Sequence, residues 1–176
     1  FFRAKLEGSF NEITEEISPK GTLTYSNVFG DKLGVAASLN YQDLRIQAHN
    51  NETGGWGFND DLGAFVPDDD YEQRFYDLTR ERIGMVVNID YRMTENTELY
   101  LRTLYNQYKD DETRNKWEIR SLDEEDPSLT GTGYAFDYAE SDAEARVREE
   151  VRNIQTYAVG GQTFAGNWAF DYEISY

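Results

Sequence analysis

From Trp168 to the end of the chain, apolar and polar positions alternate without a break. Trp168, Phe170, Tyr172, Ile174 and Tyr176 fall on one side of the alternation, and Ala169, Asp171, Glu173 and Ser175 on the other. A period of two residues belongs to an extended strand with one apolar and one wetted face, because successive side chains of a strand point to opposite faces. The same period recurs through the chain. Ile83, Met85, Val87, Ile89 and Tyr91 oppose Gly84, Val86, Asn88, Asp90 and Arg92, and Leu33, Val35, Ala37, Leu39 and Tyr41 oppose Gly34, Ala36, Ser38, Asn40 and Gln42. Leu99, Leu101, Thr103 and Tyr105 oppose Tyr100, Arg102, Leu104 and Asn106. Weaker forms lie at Ala4, Leu6, Gly8, Phe10 and at Leu23, Tyr25, Phe29, and a seventh segment from Ile154 to Phe164 is interrupted by Gly160 and Gly161. The pattern predicts an all-β chain of about seven strands, each about the 9–11 residues that a tilted membrane-spanning strand needs.

The connections predict how these strands are joined. Gly30-Asp31-Lys32, the stretch Met93 to Thr97 and Ala165-Gly166-Asn167 read as tight turns, since Gly and Asn accept the left-handed backbone that hairpins require. Between them lie two long polar stretches, about 50–77 and about 110–152, read as loops. Short turns alternating with long connections suit an antiparallel up-and-down meander with its long loops at one end, the rhythm of an outer-membrane barrel. The early connection from Thr14 to Lys20 falls on the long-loop side and yet is short. Ser141 and Glu144 are placed like a helix capping box, but Ala145 and Val147 alternate with charges, which favours an extended strand there.

Composition narrows the partners. The 176 residues carry a formal charge of −17, which repels polyphosphate and argues against a nucleic-acid partner. The absence of cysteine excludes disulfides and thiolate metal sites without fixing a compartment. No apolar run is long enough for a membrane-spanning helix. The chain begins at Phe1 without an initiator Met and stops at Tyr176 inside an alternating run, the expectation for a stretch of a longer polypeptide.

Two arrangements fit a sheet with one apolar face. In a soluble sandwich or open sheet, for example a carbohydrate-binding module, the apolar face packs on a core; in a partial transmembrane β-barrel it meets lipid. Three features favour the barrel. The strands are long, charged side chains such as Asp90, Arg102 and Glu173 sit at mid-strand on the polar face, and Phe29, Tyr41, Tyr91, Tyr105 and Trp168 stand at strand ends where an interfacial aromatic girdle belongs.

The wording of the strands adds to this. Glu7-Gly8-Ser9-Phe10-Asn11-Glu12, Ser18-Pro19-Lys20-Gly21, and Ser26-Asn27-Val28-Phe29-Gly30-Asp31 followed by Leu33-Gly34-Val35 resemble the barrel wall just after the plug in TonB-dependent receptors. The likeness is to the large proteobacterial subgroup tied to carbohydrate uptake. Asp90-Tyr91-Arg92 through Thr94-Glu95-Asn96-Thr97-Glu98-Leu99-Tyr100 looks like that family's next hairpin, and Phe164-Ala165-Gly166-Asn167-Trp168 fits a third. The resemblance implies a bacterial outer-membrane location, a barrel of about 22 strands and a plug domain in the lumen. It also implies import of a scarce small-molecule ligand, a carbohydrate or a siderophore-like compound, driven through the TonB complex. The plug, the TonB-binding box and the closing strand are not among these residues. A passive porin-type channel is the membrane alternative.

The candidate chemistry is binding rather than catalysis. His49 is the single histidine and has no second anchor for a nucleophile–His–acid arrangement, so it reads as a loop residue. No catalytic residue, cofactor or metal site is expected. The runs Asp68-Asp69-Asp70 and Asp123-Glu124-Glu125-Asp126 offer hard oxygen ligands, but lack the spacing of a dedicated Ca²⁺ loop. Trp56 and Phe58, set among glycines, and Trp117, Tyr134, Phe136 and Tyr138 in the second long stretch are the expected ligand-stacking residues. On the inward face, Asp90, Arg92 and Arg102 are the expected lumen residues, and the resemblance implies that the two arginines meet acids of the plug.

Overall fold

The computed structural model describes residues 1–67, 70–122, 128–130 and 133–176. Among them the chain forms strands and turns only. The strands are β1 (Phe2–Asn11), β2 (Glu16–Phe29), β3 (Leu33–Thr53), β4 (Trp56–Asn59), β5 (Ala64–Pro67), β6 (Tyr71–Thr94), β7 (Thr97–Arg120), β8 (Ser128–Thr130), β9 (Gly133–Ala135), β10 (Glu140–Ala165) and β11 (Trp168–Ser175). Seven of them build one sheet in the order β1-β2-β3-β6-β7-β10-β11, so every strand lies beside its chain neighbour once the small hairpins β4–β5 and β8–β9 are set aside. The expected antiparallel meander of seven strands is present, and the sheet is open: β1 and β11 are its edges.

The predicted turns hold the hairpins. Between β2 and β3, Gly30 and Asp31 both take positive φ, 55° and 54°, and the Lys32 amide donates to the Phe29 carbonyl at 3.2 Å. Two successive left-handed residues give a turn whose twist matches that of the flanking strands. Gly166 supplies the same conformation, with φ 62°, between β10 and β11. Pro19 carries no amide hydrogen, and the regular β2–β3 ladder starts only at Lys20. Just beyond, the Ser18 hydroxyl takes a 2.8 Å hydrogen bond from the Arg45 amide.

The strands are longer than the apolar alternation predicts. β3, β6, β7 and β10 run for 21, 24, 24 and 26 residues. Much of what reads as loop in 50–77 and 110–152 is therefore strand, including 141–152, which is extended as its alternation favours. The reason is chemical. In Asp110 to Asn115 both sides of the strand carry polar groups, so the hydropathy period disappears while the strand continues. In Glu140 to Arg148 the side opposite the charges holds only Ser141, Ala143, Ala145 and Val147, too weakly apolar to mark a long strand.

The chain packs as two units. Unit 1 comprises Phe1–Arg45, Thr79–Asp111 and Glu149–Tyr176, and unit 2 comprises Ile46–Leu78 and Glu112–Arg148. In unit 1 the cross-strand register gathers the apolar positions on one face. Ala4 faces Leu23, which faces Leu39; Phe2 faces Tyr25, which faces Ala37. Met85 and Val87 of β6 lie beside Phe2, Leu23, Tyr25 and Leu39 on the same side. At the far edge Val159 faces Ile174, and Thr163 faces Phe170. This face covers nothing. Leu39 is 44% exposed, Met85 44% and Phe170 52%, and no apolar side chain among the described residues of unit 1 is buried. The buried hydrophobics of the described chain, Val66, Leu78 and Leu122, all belong to unit 2.

Candidate functional site

The polar face of unit 1 carries a chain of linked side chains. Asp90 of β6 is ion-paired with Arg102 of β7. Arg102 also donates to the Ile89 carbonyl at 3.0 Å, and its guanidinium lies 4.8 Å from the centre of the Tyr100 ring. The Tyr100 hydroxyl then donates to Glu173 of β11 at 2.7 Å. The ring can lie there because Gly160 of β10 is the residue opposite Glu173: a Cβ at Gly160 would stand 2.5 Å from the Tyr100 ring and 2.5 Å from the Tyr172 carbonyl. Arg92, nearer the turn, pairs with Glu98 at 3.2 Å. All three expected lumen residues thus share one face, and each arginine already holds a carboxylate of the sheet. Tyr100, Glu98 and Glu173 complete the row. The alternation put Tyr100 and Glu173 on the polar face without showing that they meet.

Unit 2 is held by charge. Lys116 reaches Glu118 at 2.8 Å, Glu72 at 3.2 Å and Glu144 at 3.7 Å. Arg114 pairs with Glu144 at 2.5 Å, and Arg74 with Glu52 at 2.6 Å and with Glu72. Glu112, buried, accepts from both Arg146 and Arg148. Burial pushes the Glu72 carboxyl up, but the hydrogen bonds from Lys116 and with Glu118 and the charge of Arg74 outweigh it, and Glu72 stays below the usual carboxylate value. The hydrogen bond from Arg114 holds Glu144 below that value too. Lys116 is raised, first by its bond to Glu118 and then, against its own desolvation, by Glu72.

The acidic runs bear on metal binding only in part. Asp68, Asp69 and Asp123 to Asp126 lie outside the described residues. Asp70, Glu72 and Glu118 bring carboxylate oxygens within 4.8 Å of one another. Lys116 sits against two of the three, so the charge of this cluster is met by an ammonium group.

The expected stacking residues divide between separate places. Trp56 and Phe58 stand on β4, opposite Pro67 and Phe65 of β5. Phe58 and Phe65 meet edge to face with centroids 5.3 Å apart. Trp56, Phe58 and Phe65 are 58%, 56% and 60% exposed, while Val66 on the other side of the hairpin is buried. Tyr134 of β9 joins them: its hydroxyl donates to the Phe65 carbonyl. Phe65 is the member that the glycine context of Trp56 does not reveal, and only the pairing of β4 with β5 brings it in. Trp117 lies elsewhere on β7, with its indole N–H donating to the Ser141 hydroxyl at 2.8 Å. Tyr138 is exposed, and its hydroxyl lies 3.3 Å from Glu140, while Phe136 is half-buried between β9 and β10. His49 is in β3 rather than in a loop, packed edge-on against Phe75 at 4.9 Å.

Compared with known proteins, the chain matches no family model, no curated protein and no solved structure.

Proposed function

We propose that this chain is part of the wall of an outer-membrane β-barrel receptor of the TonB-dependent kind, which imports a scarce ligand and performs no chemical step on it. One observation carries the reading: in unit 1 a broad face of Phe, Leu, Ile, Met and Tyr side chains lies uncovered, while the opposite face holds a row of paired charges. In water such a face costs free energy at roughly 25 cal/mol per Å² of apolar area, and soluble monomers rarely display one so extended. Against hydrocarbon the same face is stable, and the polar face suits a wet lumen. The strand wording that resembles the receptor family supports the transport role. On this reading unit 1 meets lipid, unit 2 meets water and ligand, and the plug and the TonB complex act on the lumen side.

Flotation of the whole chain with phospholipid vesicles tests the reading. The chain is expected to rise with the vesicles and to need detergent to stay monodisperse without them. A chain that stays in the aqueous fraction as a detergent-free monomer is a soluble sheet protein, and the reading is then wrong.

A further inference from the structure

We infer that the aromatic face of the β4–β5 hairpin binds an arginine-containing cationic peptide. The inference rests on the reading that unit 2 is where ligand is met, and it names the chemistry of that ligand.

Three observations support it. The first is the surface. Trp56, Phe58 and Phe65 lie more than half exposed on one side of a two-stranded sheet, with Pro67 opposite Trp56. The hairpin is anchored from behind by buried Val66 and from the side by Tyr134. The rings are therefore held in place before anything binds, and little ordering is left to oppose association.

The second is charge. Unit 2 contains 18 acidic and six basic residues, so it carries −12 of the chain's formal −17. Each of the six bases, Arg74, Arg114, Lys116, Arg120, Arg146 and Arg148, is already in an ion pair with a carboxylate of the same unit. The excess therefore rests on other acids. Asp60 and Asp61 are among them: they sit in the turn of this same hairpin, and no described cation pairs with either. An anion is repelled here, and a neutral ligand gains nothing from the field. A cation gains from both field and rings, since a guanidinium stacks on an aromatic face and is attracted by its quadrupole.

The third is spacing. Trp56 and Phe58 are two residues apart on one strand, about 6.8 Å. Alternate residues of an extended peptide have the same separation, so arginines at every second position match the two rings in register.

Calorimetric titration of the whole chain in detergent micelles, with the peptide Arg-Ser-Arg-Ser-Arg, tests this. Saturable binding is expected, at least about fivefold tighter than for Lys-Ser-Lys-Ser-Lys, because an ammonium group does not stack. Maltoheptaose and Glu-Ser-Glu-Ser-Glu are expected to give no saturable heat. The double variant Trp56→Ala/Phe58→Ala should weaken binding at least about tenfold, and Asp60→Asn/Asp61→Asn about threefold, both with near-wild-type far-ultraviolet dichroism because the side chains are exposed. Undiminished affinity in the aromatic variant, equal binding of the lysine peptide, or tighter binding of maltoheptaose overturns the inference. Vesicle flotation of the same preparation separates the two failures. A chain that floats but ignores the arginine peptide refutes the cation reading alone, and one that does not float removes the receptor reading beneath it.

Discussion

Gly160 shows how a single position sets the polar face. Its missing side chain leaves room for the Tyr100 ring, and through that ring Arg102 and Glu173 are linked across three strands. The ring could swing aside if a side chain were added, at the loss of the Glu173 hydrogen bond. The Tyr172 carbonyl, also 2.5 Å from the added Cβ, belongs to the β10–β11 pairing and has no such freedom. Gly160→Val is therefore expected to destabilise the chain by about 1–3 kcal/mol, the range for overpacking. A lower urea midpoint in micelles reads this out. Adding Tyr100→Ala should restore only part of the loss, because the carbonyl clash remains. A wild-type midpoint for Gly160→Val would remove the close approach from the account.

At the scale of elements, the portions of β6, β7 and β10 that belong to unit 2 replace apolar contacts by ion pairs. Lys116 alone connects Glu72 of β6, Glu118 of its own strand and Glu144 of β10. Such a ladder depends on pH in a defined direction. The folded values of Glu72 and Glu144 are lowered, so in acid the unfolded chain takes up protons first. Their contribution to stability is complete above the ordinary carboxylate value of about 4.3 and is lost as pH falls through the lower folded values. Urea midpoints are thus expected to be flat from pH 7 to about 5 and to fall below about pH 4. Glu72→Gln/Glu144→Gln should start lower and fall less steeply. An identical acid slope in that variant would place the sensitivity on other carboxylates.

For the whole molecule, the deciding property is the uncovered apolar face of unit 1. If lipid is its partner, a charge placed there acts differently from the same charge on the opposite face. An arginine on the lipid side of a membrane sheet costs about 2–4 kcal/mol near the bilayer centre. Met85→Arg is therefore expected to lower vesicle partitioning by at least about tenfold. Asn88→Arg, which adds the same charge on the polar side, should change it little. Equal effects of the two would mean that the faces are not distinguished by lipid.

The alternation of Leu33 to Tyr41, Ile83 to Tyr91 and Trp168 to Tyr176 by itself determined that the chain is all-β, which residues share a face, and, with Gly30-Asp31 and Gly166, where the short hairpins turn. Those features are local, because period two and positive φ act over a few residues. The full length of β7 and β10 was less legible in this way, since Asp110 to Asn115 carry polar groups on both sides and the alternation of Glu140 to Arg148 sets only Ser, Ala and Val against its charges. Trp56 and Phe58 were readable as exposed aromatics, but their partner Phe65 and their tie to Tyr134 depend on pairing between segments. Only the tertiary structure decided that the seven strands form one open sheet, that Arg102 reaches Glu173 through Tyr100, and that Lys116 gathers three carboxylates. Each of these depends on contacts between residues remote in sequence, such as Tyr100 with Glu173 or Lys116 with Glu72 and Glu144, set by strand register, which composition and spacing do not encode.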